Sequence, residues 1–561
     1  MAAKPRKEQS FEYGAGILIV ATVLVKVIGM VFKIPLSSLI GDLGFGYFSS
    51  AYDLFNPMYT LAMAGLPIAV SRVVAEHMAT KRYRDVHSTL KITRRLFLVT
   101  GLTATALMLA LIYPYVAVTD ETGKTIYSLF AIAPALLFCC VMSTYRGYYE
   151  GLRNMYPTAI SNIIEALGKL ILGYGFAFIV MKISGNVAYA AAAAAFGIMV
   201  GTAAAATYLK IRHKVSGDGI TPSELASSSD PENVRKATKA IIMIAIPVVL
   251  SSFADSIASF VDVTMVKWQL SNLMEGHADT IRQMYAASIT DYNENAKEIL
   301  TNDAIPTFLY GVRSKAFTLY NLAPSITSAL GVGALPVLAA SWVKQDKALV
   351  KHNLESMFKL ISIVAMPVGF GFIFLSKGVM GLLYNGTASI EIGGKMMVIY
   401  GFAAIFAGLA VPMTSMLHAV KKQVAAVRNV TIGAVIKVII NFVFVSIPSI
   451  NVLGAAVGTL AGFVFVFVAH LITILRHTGV MPNLFKSFGK PLIAGVGCGL
   501  TAFAVGLLGG SRLITLGAIA TAAVVYFVLL VAMNTFEEAD ILALPKGEKL
   551  LKLLLKYKII R

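Results

Sequence analysis

The chain has 561 residues, 57% of them hydrophobic and only 14% charged, with a mean hydropathy of +0.75. Soluble globular chains carry roughly 25% charged residues, so the composition excludes a soluble enzyme or binding module and points to an all-α polytopic membrane protein. The net charge of +19 would suggest a nucleic-acid partner in a soluble chain. Here it reads as basic cytoplasmic loops, with membrane lipids as neighbours and no nucleic acid.

Lys4, Arg6 and Lys7 precede an apolar run without a signal-peptide cleavage pattern, so that run is expected to stay as a first span. A spanning helix needs about 20 apolar residues. By that rule about 14 spans follow, at roughly 14–40, 46–73, 94–114, 126–149, 157–181, 187–210, 237–266, 308–341, 355–376, 394–419, 429–447, 452–476, 490–508 and 513–534.

The first span carries Lys26 and Lys33, seven apart and so on one helix face. Lys26 falls near the midplane, where an ammonium needs water or an acid. Lys33 either lines a cavity or snorkels to the outer interface. The second span holds Asp53 in its outer third, with Asn56 one turn on. A basic segment follows, with Lys81, Arg82, Arg84, Lys91, Arg94 and Arg95.

Between the fourth and fifth spans lies RGYYEGLRNMYPTAISNIIEALGK, Arg146–Lys169. One helix ends there, a polar glycine-containing corner follows, and Pro157 opens the next helix. Glu165 and Lys169, four apart, share a helix face and inside a membrane must face protein or water. Either the pair neutralises itself and locks the fold, or it takes part in coupling together with Arg146.

The segment 216–236 is rich in Ser, Asp, Pro and Gly and reads as a cytoplasmic linker and hinge. The seventh span presents a polar stripe with Asp255 and Asp262 seven apart. The loop 270–307 is acidic with helical stretches, an external helical cap. The eighth span begins with Arg313 and Lys315 and reaches Asn321 and Pro324. Arg313 and Lys315 carry the same choice between cavity and outer interface. The basic loops after the second, sixth, eighth and tenth spans fall on the side of the N-terminus, which places both termini in the cytoplasm. The tail GEKLLKLLLKYKIIR reads as a basic amphipathic helix on the anionic leaflet or packed on the protein's own loops.

The chain repeats itself. Gly151–Lys169 aligns with Ala419–Lys437 (437 − 169 = 268), Tyr52–Ser71 with Tyr320–Ser341, and NVAYAAAAAAFG at Asn186 with NVLGAAVGTLAG at Asn451. Spans 1–6 and 7–12 therefore form two parallel six-helix repeats, an architecture of transporters. The domain expectations are an N-lobe at 1–215, the linker 216–236, a C-lobe at 237–480, helices 13 and 14 at 481–535 and a cytoplasmic tail at 536–561. A cavity lined by helices 1, 2, 7 and 8 would place Lys26, Lys33, Asp53, Asn56, Asp255, Asp262, Arg313, Lys315 and Asn321 around an anion. Arg146, Glu165, Lys169 and Lys437 are assigned a structural or coupling role. Cys139, Cys140 and Cys498 lie in apolar runs and read as packing residues. No nucleotide loop, metal spacing or nucleophile elbow occurs, so no enzyme, catalytic residue, metal or cofactor is expected.

The Arg146–Glu165 stretch, the paired repeats and the closing ALPKGEKLLKLL at Ala543 resemble the stage V sporulation protein B-like, polysaccharide-exporter branch of the multidrug/oligosaccharidyl-lipid/polysaccharide flippase superfamily. KVIGMVFKIPLSSLIGDLG at Lys26–Gly44 is similar to the corresponding stretch of lipid II flippases. That resemblance implies basic residues of helices 1, 2 and 8 around a central cavity. Lys26 matches one such position and Lys33 lies about one residue from another; Tyr59 or Thr60 stands where helix 2 would be basic. It also implies a flippase in the bacterial plasma membrane that moves an undecaprenyl-diphosphate-linked saccharide outward by alternating access. The cargo, peptidoglycan or another polysaccharide precursor, and the coupling ion, proton or sodium, stay open. The second reading is a cation-coupled multidrug exporter of the same superfamily.

Overall fold

The computed structural model describes residues 11–63, 65–296 and 299–535. Among these every regular element is helical. The expected tail helix lies outside the described residues. In chain order the helices are α1 (Phe11–Met63), α2 (Leu66–Ala79), α3 (Tyr83–Thr119), α4 (Thr125–Ile132), α5 (Ala135–Gly151), α6 (Tyr156–Gly168), α7 (Tyr174–Ser184), α8 (Val187–Ser216), α9 (Pro222–Ser227) and α10 (Val234–Met284). They continue as α11 (Ala286–Ala296), α12 (Ile305–Tyr320), α13 (Leu322–Val343), α14 (Lys347–Phe374), α15 (Ser376–Leu383), α16 (Thr387–Ala419), α17 (Gln423–Val445), α18 (Gly454–Thr478), α19 (Lys490–Gly506) and α20 (Arg512–Ala532).

Two compact units form. The first runs to Ser271 and also takes in Thr301–Gly311; the second holds Asn272–Leu300 and everything from Val312 onward. The core of the first unit is packed from α1, α2, α3, α5 and α8, with Phe97, Met108, Ile112, Leu136, Met142 and Tyr148 fully buried. The second unit has a core on α14 and α16, around Leu354, Phe358, Met413 and Leu417.

Local chemistry explains the breaks. α1 is one 53-residue element only because two helices run together across Gly41, whose φ of 67° favours glycine. Pro67 opens α2 and Pro157 opens α6 within the first turn, where a missing amide donor costs nothing. Asn186 caps α8 by accepting from the amides of Ala188 and Tyr189. Its counterpart Asn451 instead has a φ of 40° and takes the Tyr285 hydroxyl at 2.5 Å, so the segment around Tyr285 is pinned by a side chain the repeat uses differently.

The corner after α5 recurs in the second unit with the same backbone. Leu152, Arg153 and Asn154 donate to Tyr148, Glu150 and Tyr149; Val420, Lys421 and Lys422 donate to Met416, His418 and Leu417, 268 positions on. Arg153 and Lys421 are both left-handed, at φ 55° and 61°.

Among the described residues, 11 helices are long and apolar enough to cross a membrane, or up to 12 with one bent pair, Asn302–Gly331 and Leu335–Val343. The figure of about 14 spans is thus not reproduced by that criterion. The difference has a simple source: Leu24–Ala79 counts as one stretch although it crosses the Gly41 break, and α10 is not among the 11.

The linker is folded and fastened. Thr221 and Glu224 form a reciprocal capping box at α9. Asp218 accepts from His87 at 2.8 Å and from the Tyr148 hydroxyl at 2.6 Å. The buried Asp85 carboxylate accepts the Glu232 amide at 2.6 Å, and Arg82 bridges Asp85 and Glu232 at 2.7 and 3.0 Å. The polar segment read as a linker and hinge is tied by polar groups 130 to 150 positions earlier, which no local pattern displays.

Candidate functional site

The corner between α5 and α6 sets the centre of the first unit. The proline start of α6 carries Ser161 and Glu165 back past α5. Arg146 donates through Nε to Ser161 at 2.9 Å and through a terminal nitrogen to Glu165 at 3.1 Å. Lys169 reaches the other oxygen of Glu165 at 3.2 Å. The expected pair is therefore a triad, one carboxylate between two cations, with side chains only 12–28% exposed.

Helix packing aims Lys169. Residues Lys169–Gly173 form a single π-helical turn. A Cβ on Gly168 would stand 2.5 Å from Gly201 Cα, and one on Gly197 would stand 2.5 Å from Gly173 Cα. Gly168 and Gly173 are five apart while Gly201 and Gly197 are four apart, so the π-turn absorbs one residue and lets both glycine pairs meet. Such turns concentrate at functional sites.

From the triad a row of polar groups continues along α1. Lys33, half-buried, interacts electrostatically with Asp53 and Lys169. Asp53 accepts the Tyr310 hydroxyl at 2.6 Å. Beyond it Lys267, 0% exposed, donates to Ser50 at 2.7 Å. Its ammonium lies 5.4 Å from the ring centres of both Tyr115 and Tyr310, a geometry that offsets part of the cost of a buried cation. Asp120 and Asp53 are its acidic neighbours. Asp120 in turn accepts from Thr122 at 2.6 Å and from the Thr125 amide at 2.8 Å. Lys267 was missed because it lies one residue past the expected end of the seventh span. The usable signal was a lysine five residues after Asp262 in a still apolar run.

The other expected residues divide between the two units. Lys26 is exposed on α1 and makes no ion pair among the described residues. Asn56 is exposed, and its carbonyl accepts Thr60 at 2.9 Å. Asp262 is buried, and the Asp255 side chain lies outside the described residues. In the second unit Arg313 and Lys315 are 2% and 1% exposed, so they do not snorkel to an interface. Arg313 and Lys437 lie 5.4 and 5.9 Å from one ring, Phe317. Lys315 turns to Ser389 at 3.1 Å and to the ring of Tyr384. Asn321 is exposed and donates to the Phe317 carbonyl at 3.0 Å. His470, unremarked in sequence, is fully buried between Thr414 at 3.1 Å and Asn429 at 3.2 Å. All three cysteines are buried and free.

Titratable groups held inside long apolar helices are the mark of membrane transport proteins, and the all-helical fold is that of the multidrug/oligosaccharidyl-lipid/polysaccharide flippase superfamily. The chain belongs to the family described as "Lipid II flippase MurJ", whose model matches residues 232–531. A second model, "Polysaccharide biosynthesis protein", matches residues 13–285. The chain is 25% identical over 549 residues to stage V sporulation protein B of Bacillus subtilis (strain 168), covering 96% of this chain and 98% of that one. Its fold is similar to that of lipid II flippase MurJ in an inward closed conformation, with TM-score 0.66 at 13% identity over 92% of this chain and 98% of that chain. It is also similar to an inward-facing multidrug resistance MATE family transporter, with TM-score 0.62 at 14% identity over 81% and 94%.

Proposed function

We propose that this chain is a flippase that carries an undecaprenyl-diphosphate-linked saccharide from the inner to the outer leaflet of a bacterial plasma membrane by alternating access, with both termini in the cytoplasm. The observation that carries the reading is membership of the lipid II flippase family over more than half the chain. The charged interior supports it. A diphosphate must give up water as it enters the membrane, and fixed cations compensate that loss, while the lipid tail stays in the bilayer. Lys26, Lys33, Arg313 and Lys315 are the proposed anion ligands, with Asp53, Asn56, Asp255, Asp262 and Asn321 around the same path. No bond is made or broken, so no catalytic residue is needed. A proton or sodium ion is the proposed coupling species.

Lys26 is the proposed entry cation, since it makes no ion pair among the described residues. In proteoliposomes with a fluorescent undecaprenyl-diphosphate disaccharide, the wild type should bring the label to the opposite leaflet. Lys26→Ala should lose most of that movement while inserting normally, and Lys26→Arg should keep part of it, because the charge survives and the donor geometry changes. Full activity of Lys26→Ala would move the anion site elsewhere. The MATE-like fold favours one second reading, a cation-coupled drug exporter. Movement of cationic dyes without movement of the lipid would establish that reading instead.

A further inference from the structure

A cavity of about 300 Å³ opens within the first unit, between the end of α1, the start of α2, the last turns of α5 and the first turns of α6. Tyr59, Ser143, Arg146, Glu150, Thr158 and Asn162 line it. Its size is at the lower end of the range for ligand pockets, about 300–1,000 Å³, which suits a single ring rather than an entire headgroup.

Its charge is balanced. Arg146 is already matched to Glu165 at 3.1 Å, and Glu165 to Lys169 at 3.2 Å. Glu150 adds a second acid within electrostatic reach of Arg146. A phosphate entering here would meet the Glu150 carboxylate and, in Arg146, a cation already matched to Glu165, so the cavity does not select for anions. It offers instead a mixture of donors and acceptors: a guanidinium, a carboxylate, an amide and hydroxyls. Thr158 is 4% exposed, and its hydroxyl donates toward the Glu150 carboxylate beside it. A ligand hydroxyl would find the remaining lone pairs of the Glu150 carboxylate and the Asn162 amide beside that bond. The half-buried ring of Tyr59 supplies an apolar, π-bearing wall.

The internal repeat separates what the fold needs from what the site needs. The corner backbone recurs 268 positions later with the same three hydrogen bonds. The polar set does not: Arg146, Glu150, Thr158, Asn162 and Glu165 are replaced by Thr414, His418, Ala426, Val430 and Gly433. The corner therefore folds without these side chains, and their grouping in the first unit answers to something else.

We infer that this cavity is a saccharide subsite, which takes one neutral sugar ring of the cargo through Arg146, Glu150, Thr158 and Asn162, with Tyr59 against its C–H face. The inference rests on the flippase reading and adds to it a division of labour, with the phosphates held by the lysines of α1 and the sugar held here.

The test is binding to the full-length protein in phosphatidylglycerol–phosphatidylethanolamine nanodiscs. Two probes are used: undecaprenyl diphosphate alone, and the same lipid bearing an N-acetylhexosamine disaccharide. Thr158→Val and Asn162→Leu, in preparations that elute as the wild type does, should each weaken the glycosylated lipid by about tenfold, the loss of one hydrogen bond. Binding of the bare lipid should stay unchanged, and it reports in the same experiment that the protein is intact. Thr158→Ser should bind both probes like the wild type. Equal loss on both lipids, or no loss on either, overturns the subsite and leaves the flippase reading standing. A wild type that binds neither lipid ends both.

Discussion

Glu165 accepts from Arg146 at 3.1 Å and from Lys169 at 3.2 Å, so one carboxylate holds two cations inside the first unit. Removing the shared partner of a buried pair costs about 3–5 kcal/mol, because uncompensated charge is left behind. Glu165→Gln should therefore lower thermal stability in detergent by that order. The double variant Glu165→Gln/Lys169→Met should recover part of the loss, and a double-mutant cycle measures the coupling. Equal loss in the single and double variants would show that the two residues act independently. The Glu165–Lys169 contact was legible because a spacing of four places both groups on one helix face. Arg146 is nineteen positions before Glu165, and only the corner geometry brings it there. Lys267 shows the opposite failure: its partners Ser50 and Tyr310 come from distant segments, so its neighbours could not be read from its surroundings in sequence.

At the scale of elements, helix existence followed from hydropathy, while breaks and attachments followed from single residues. Gly41, Pro67 and Pro157 mark their breaks openly. The π-turn at Lys169–Gly173 does not, since it arises from matching glycines five apart to glycines four apart on another helix. The linker is the sharpest case, because its docking rests on long-range polar contacts. Burial works against the Asp218 carboxylate, yet hydrogen bonds from His87, Tyr148 and the Ile220 amide hold it down to about 2. A free aspartate titrates near about 3.9. The docking contribution is thus complete above about pH 4 and is lost only as pH falls through about 2. Limited proteolysis of the linker should be slow at pH 7 and no faster at pH 5 in the wild type, since protonation of His87 turns its bond to Asp218 into an ion pair. Asp218→Asn should speed cleavage several-fold at both pH values without shifting the unfolding temperature of the membrane helices by more than a few degrees. An unchanged cleavage rate would assign the docking to Asp85, Arg82 and Glu232 alone.

At the scale of the whole molecule, the direction of transport depends on which loops face the cytoplasm. All three native cysteines are buried, so introduced ones report against a quiet background. Ser229→Cys, on the exposed linker, should resist an impermeant thiol reagent added to intact cells, and Glu294→Cys, exposed on α11, should react. The reverse pattern would invert the topology and the proposed direction of flipping. The sequence by itself determined the membrane class, the helical content, the internal repeat and the one charged pair within a helical turn, because hydropathy, periodicity and i,i+4 spacing are local properties carried by neighbouring residues. Only the tertiary structure decided that Arg146 completes a triad, that Tyr310 and Lys267 join Asp53 and Ser50, that the linker is fastened to α3 and α5, and that a neutral polar cavity sits in one copy of the repeat. Each of these is a choice of partner across long stretches of chain. Close packing at glycines and the cost of leaving a buried charge or hydroxyl unmatched make that choice, and neither quantity exists until the helices meet.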